Sequence, residues 1–184
     1  MKEGLIVLGA PFSGKNTVAE RLSKQEGIPH IDAGQLVRDR AKIDNTIRDM
    51  TTKGLQLPPE ISYKLVLDQF DKIIGNILLV NGFPRQRINA ERFSESFSPW
   101  AVVVLDVALE EIFRRHDTAS ERKSRIDYGG RDILLLRLQA YFSEDTQEVQ
   151  DYYSKLGLLV RIDANEEVEK VYDSVNRIYQ ENKR

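Results

Sequence analysis

Residues 5–17 read LIVLGAPFSGKNT, an apolar run that ends on a glycine, opens into a loop and closes on Gly14-Lys15. An apolar run without period-two alternation is the pattern of a strand covered on both faces, as in a parallel sheet. The G-x-x-x-x-G-K spacing from Gly9 to Lys15 suits a loop whose backbone N–H groups wrap phosphate oxygens while the next helix aims its positive end at them. Two residues depart from that pattern: Phe12 brings a bulky ring into the loop, and Asn16 stands where a hydroxyl is expected, although Thr17 follows at once. If the backbone at position 12 is left-handed, a side chain there costs about 1–2 kcal/mol. That is enough to shift the loop and too little to abolish a site fed by several charges.

Working outward, four further apolar runs read as buried strands: PHID at 29–32, ILLV at 77–80, AVVVLD at 101–106 and LLVRID at 158–163. Helix-like sequence separates each from the next, which excludes hairpins and predicts an α/β domain with a five-stranded parallel sheet. The spacing predicts a helix over 15–26 stopped by Gly27, and another over 59–73 opened by proline. It also predicts one long helix over 132–155 opened by Asp132 and a terminal helix over 165–181 opened by Asn165. Residues 116–131 are polar, rich in arginine and without period, the pattern of a moving segment.

A chain of 184 residues suits one domain spanning 1–184. Its net charge of -2 gives no global attraction to nucleic acid or to an anionic membrane, so anions must be bound by local placement of charge. The short basic run ERKSR at 121–125 is too little for a nucleic-acid surface. The absence of cysteine excludes disulfides, thiol catalysis and cysteine-based zinc sites, and fits a reducing, cytoplasmic setting. Neither His30 nor His116 has a partner for metal ligation, and both are read as structural or exposed. No stretch approaches the roughly 20 apolar residues of a membrane span, and Glu3 and Pro11 interrupt any signal-like run.

Two more clusters carry chemistry. NGFPR at 81–85 follows a buried strand, which sets Arg85 beyond the carboxyl end of the sheet near Lys15. HIDAGQLVRDR at 30–40 is a strand, a turn at Gly34 and a helix carrying Arg38. With GAPFSGKNT, these segments resemble the nucleoside monophosphate kinases of the adenylate kinase and UMP/CMP kinase family. There the matching segments are a phosphate loop, Ser-Thr-Gly-Asp-Leu-Leu-Arg and Asp-Gly-Phe-Pro-Arg. The likeness covers essentially the whole chain. GLQLPPEI at 54–61 is similar to the flap over the substrate base, and RID at 125–127 with LRLQAYFSEDTQEVQDYYSKLG is similar to the lid and the helix behind it.

The resemblance implies a P-loop NTPase fold with an NMP-binding insertion near 32–62 and a short lid near 116–131. It implies ATP and Mg²⁺ as cofactors, a nucleoside monophosphate as substrate, no nucleic-acid or membrane partner, and a monomer. By the same resemblance Gly9, Phe12, Ser13, Gly14, Lys15, Asn16 and Thr17 hold ATP, and Arg115 lies against the donor adenine. Arg38 and Arg85 hold the monophosphate, while Ala33, Leu55, Gln56, Leu57, Gly82 and Asn89 complete the acceptor site. Lys15, Arg85, Arg125 and Arg137 are the expected catalytic set, consistent with phosphoryl transfer being driven by positioning and by cations around the moving charge. Five cations in one crevice repel one another unless a polyanion binds there. Phe12 is expected to pack on the lid or the nucleotide.

Mg²⁺ is expected to be reached through phosphates and water, with Thr17 and Asn81 as candidates. Asn81 is the main departure, because the family has at that strand end an aspartate that orders water around Mg²⁺. An amide removes the negative charge and predicts weaker metal affinity; its plainer role is to cap the turn. Asp106, at the next strand end, supplies charge only if it points inward. Ala33 and Asn89 resemble UMP/CMP kinases, whereas overall prevalence favours adenylate kinase, so AMP is the expected acceptor and UMP or CMP the alternative. The rival of another class is a non-catalytic nucleotide sensor or assembly factor with a degenerate kinase fold.

Overall fold

The computed structural model describes residues 1–119 and 124–183. Among them the five apolar runs form one sheet, β1 (Lys2–Gly9), β2 (His30–Asp32), β3 (Ile77–Asn81), β4 (Phe97–Asp106) and β5 (Leu159–Asp163). The order is β2-β3-β1-β4-β5, and every pairing is parallel. From β1 the chain goes to one side of the sheet for β2 and β3, then crosses to the other for β4. The crevice opened beyond the carboxyl end of β1 is where such a sheet receives ligands. β4 enters at Phe97, earlier than its apolar run, because a register shift opposite Gly4 and Leu5 accommodates Pro99 and Trp100. An irregularity of this kind is where a strand tolerates proline.

Both faces of the sheet are covered, which is why its strands read as unbroken apolar runs. On one face α1 (Lys15–Glu26) and α9 (Val168–Asn182) bring Val18, Leu22, Val175 and Tyr179 onto Leu5, Val7 and Leu79. On the other, α4 (Pro59–Phe70), α5 (Arg87–Ser94) and α8 (Glu144–Lys155) bring Phe70, Phe93 and Tyr153 onto Ile6, Val80 and Val102. Each such side chain contributes about 1.5–3 kcal/mol through burial. Two smaller clusters lie beyond the strand ends. One joins α2 (Ala33–Ala41) and α3 (Asn45–Thr52) to Leu57, through Ala41 and Ile47. The other packs Ala10 and Phe12 against Ile112 of α6 (Leu109–Thr118) and Leu134 and Leu138 of α7 (Arg131–Tyr141).

Four helix boundaries differ from expectation. The long helix over 132–155 is two, α7 and α8, broken at Phe142 and Ser143. Ser143 takes an extended backbone, its hydroxyl donates to Ala140 O at 2.8 Å, and Glu144 and Asp145 complement the positive end of the new helix. Gly130, not Asp132, precedes α7. α9 starts at Val168 because the Asn165 side chain is engaged elsewhere, accepting from Ala108 N at 2.9 Å and donating to Asp163 Oδ1 at 2.6 Å. α4 ends at Phe70, short of the expected residue 73.

Candidate active site

The loop after β1 is shaped by its glycines and by one unusual residue. Gly9 has φ 155°, and a Cβ there would lie 2.5 Å from Ser13 Oγ. Ser13 is buried, and its N–H closes the loop on Ala10 O at 3.1 Å, so it shapes the loop rather than offering that N–H to a phosphate. Gly14, left-handed at φ 89°, leads into α1, whose first-turn N–H groups have no intrahelical acceptors. Lys15 Nζ donates to Ala10 O at 3.0 Å, which places the ammonium along the loop.

Phe12 has φ 64°, the conformation in which a side chain is strained. Its ring is only 8 % exposed and stands edge-on to His116 and Tyr128, with centroids 5.2 and 6.3 Å away. His116 and Tyr128 stack on each other at 4.8 Å, and Tyr128 Oη donates to His116 O at 2.8 Å. Burial of the ring against His116 and Tyr128 thus offsets the backbone strain. Residues 120–123 of that segment, and with them most of the ERKSR run, lie outside the described residues. Arg115 spans loop and sheet, with Nη1 donating to Phe12 O at 3.3 Å, Nη2 to Ala164 O at 2.7 Å and Nε to Glu111 at 2.6 Å. Hydrogen bonds from Arg114 and Arg115 hold the Glu111 carboxyl down at about 2.

Lys15, Arg38, Arg85, Arg125 and Arg137 all line one crevice at the carboxyl ends of β1 and β3. Arg85 donates from Nε to Gly82 O at 3.0 Å and is exposed to water across the open crevice. Asp127 is the counter-charge for three of the others. Arg125 grips it at 2.8 and 3.0 Å, Arg38 and Arg137 approach to 3.5 Å, and Arg137 Nη1 also donates to its carbonyl at 2.7 Å. Burial pushes the Asp127 carboxyl up, but Arg125, Arg137 and Arg38 outweigh it and hold the group at about 2. Burial brings the Arg137 guanidinium down to about 10, against the pull of Asp127 and with neighbouring arginines adding to the shift. A protein carboxylate therefore occupies arginines that a phosphate chain could otherwise take.

Ala33, Leu55, Gln56, Leu57 and Gly82 also line the crevice, and Gln56 Nε2 reaches Arg85 O at 3.5 Å. Asn89 does not line it, contrary to expectation. Its Nδ2 is spent on Pro59 O, Ser62 Oγ and Gln86 Oε1 at 3.1–3.3 Å, and the side chain lies behind Gln86 and Ser62, which form the wall. Gln86 Nε2 in turn donates to Leu57 O at 3.3 Å. Sequence reading assigned no site role to Gln86 or Ser62; the only signal was their closeness to Arg85 and to the flap.

Asn81 does not cap its turn. It is 0 % exposed, and neither amide atom has a hydrogen-bond partner. Asp106 does not line the crevice, and Arg161 holds its carboxylate at 2.7 and 2.8 Å. Thr17 is exposed and lines a neighbouring hollow with Asn16 and Asp32. Phe83-Pro84 is a cis peptide. Among the described residues no cluster of three His, Asp or Glu side chains is placed to hold a metal directly, and no helix is long and apolar enough to cross a membrane.

Residues 7–158 match the family model described as Adenylate kinase. The chain is 29% identical over 181 residues to UMP-CMP kinase 1 of Oryza sativa subsp. japonica, covering 95% of this chain and 73% of that protein. It is 29% identical over 215 residues to an adenylate kinase of Chlamydia trachomatis, covering 93% and 87%. To the UMP-CMP kinase of Homo sapiens it is 29% identical over 189 residues, covering 95% of each.

Proposed function

The chain belongs to the adenylate kinase family, a nucleoside monophosphate kinase and hence a phosphotransferase, and we propose that it transfers the γ-phosphoryl group of ATP reversibly to AMP. The observation that carries this reading is the convergence of Lys15, Arg38, Arg85, Arg125 and Arg137 on one crevice beyond the phosphate loop. A binding protein has no need of so many cations around one point, whereas a migrating phosphoryl group spreads charge over its equatorial oxygens and requires them.

The division of labour follows from position. The loop and the open turn of α1 would hold the donor phosphates, with Lys15 along them. Arg38 and Arg85 would fix the acceptor phosphate so that its oxygen lies in line with the transferring group. Arg125 and Arg137 would leave Asp127 for the more strongly charged phosphates, which trades one carboxylate for a polyanion. Residues 32–62 and 116–131 serve as the acceptor-binding insertion and the lid, and their approach excludes water so that hydrolysis does not compete. Mg²⁺ takes oxygen ligands and keeps several waters; the Thr17 hydroxyl and the unpartnered Asn81 amide oxygen are donors of that kind. When bound, the ion would neutralise charge on the donor phosphates.

A pyrimidine monophosphate is the second reading. Ala33 on the crevice wall and Asn89 behind it are the residue types that UMP/CMP kinases have, and kinases so named are among the relatives. Incubation with ATP, Mg²⁺ and each of AMP, CMP, UMP and GMP in turn, with products separated by chromatography, decides between them. ADP formation from AMP well above that from the other acceptors is expected. ATP binding with no diphosphate from any acceptor would leave the sensor reading instead.

A further inference from the structure

Three of the five strands end in aspartate. Asp106 is held by Arg161, and Asp163 accepts from the N–H and the amide of Asn165. Asp32 alone of the three stands beside the phosphate loop. Its Oδ2 accepts from Asn16 Nδ2 at 2.5 Å, next to Thr17, and from Arg38 Nη2 at 3.3 Å, while Oδ1 accepts from Gln35 N at 3.2 Å and caps α2. Asp32 and Asn81 are register partners in adjacent parallel strands, so their side chains leave the sheet by the same face. Asn81 is fully buried there with both amide atoms unpartnered, a condition that native proteins rarely leave without a water or ion to meet it.

The motifs add an independent observation. This chain has Asn81 and Gln35 where Asp-Gly-Phe-Pro-Arg and Ser-Thr-Gly-Asp-Leu-Leu-Arg carry aspartate, and it has Asp32 where the second motif begins with serine. Two carboxylates have become amides, and one carboxylate has appeared a strand away. We propose that Asp32 supplies the negative charge that holds, through water, the divalent cation accompanying the donor nucleotide, with Asn81 Oδ1 a neutral acceptor for the same water shell. Mg²⁺ is commonly held by one or two carboxylates together with phosphates and retained waters. Asn16, in the loop beside it, orients Asp32 toward that position through its amide. The proposal rests on the kinase reading above.

The test measures ATP affinity by calorimetry with excess Mg²⁺ and with EDTA, and Mn²⁺ uptake in the presence of ATP by electron paramagnetic resonance. The variants are Asp32→Asn, Asp32→Ser, and each combined with Asn81→Asp; both replacements at 32 keep an acceptor to cap α2. Carboxylates outside the direct ligand set typically account for about 10–100-fold in metal affinity. The single variants should therefore lose roughly tenfold in Mn²⁺ affinity while binding ATP in EDTA within twofold of wild type, and Asn81→Asp should restore the loss. Unchanged Mn²⁺ affinity overturns the proposal, as does a loss that Asn81→Asp fails to restore. A wild-type chain that binds ATP with full metal dependence yet transfers no phosphoryl group refutes the kinase reading while leaving Asp32 in its role.

Discussion

Replacing Phe12 by glycine sets two opposing effects against each other. At φ 64° glycine relieves about 1–2 kcal/mol of backbone strain. Deleting a ring that is nearly buried removes about 1.5–3 kcal/mol of transfer free energy. It also removes two edge-on contacts, with His116 and Tyr128, of about 0.5–1.5 kcal/mol each. The losses exceed the gain, and Phe12→Gly should be less stable by about 2 kcal/mol, a fall in Tm of roughly 4–8 °C for a chain of this size. Phe12→Ala loses the same ring but keeps the strain, so it should melt lower than Phe12→Gly. Thermal unfolding followed by circular dichroism reads both. A Phe12→Gly protein melting at or above wild type would refute the reasoning, because the ring would then not offset the strained loop.

Arg85→Ala should lower kcat/KM for phosphoryl transfer by about 10²–10³, the scale of losing one group that stabilises transition-state charge, with Tm nearly unchanged because Arg85 is exposed along the crevice. Near-normal transfer would remove Arg85 from the mechanism. Asp127 is held at about 2, below its ordinary 3.8. Its contribution is therefore complete above about pH 4 and lost as pH falls toward 2, an amount on the order of 2 kcal/mol by linkage. Asp127→Asn should thus be less stable than wild type at pH 6, with the gap narrowing toward pH 2 in urea titrations; a gap independent of pH contradicts the arginine-held carboxylate.

The sheet was legible because strands covered on both faces read as unbroken apolar runs, and the loop because Gly9, Gly14 and Lys15 hold fixed spacing between strand and helix. The break between α7 and α8 was not, because Tyr141, Phe142 and Val149 keep a helical apolar rhythm across it; the signal was Ser143 ahead of Glu144 and Asp145. Asn165 has the right chemistry for a cap, but Ala108 N and Asp163 claim its side chain, a tertiary contact that spacing does not contain. The same limit applies at the site. The arginines stood in motifs, whereas the grip of three of them on Asp127 requires residues 125–127 to return to the crevice. The place of Asp32 depends on its register with Asn81.

Transfer itself is the central claim, and ATP labelled at the γ-phosphorus tests it most directly. With an unlabelled nucleoside monophosphate, Mg²⁺ and purified protein, the label should appear as the β-phosphoryl group of the new diphosphate and scarcely at all as inorganic phosphate. Label released only as inorganic phosphate, or retained in ATP with every acceptor, would contradict the account.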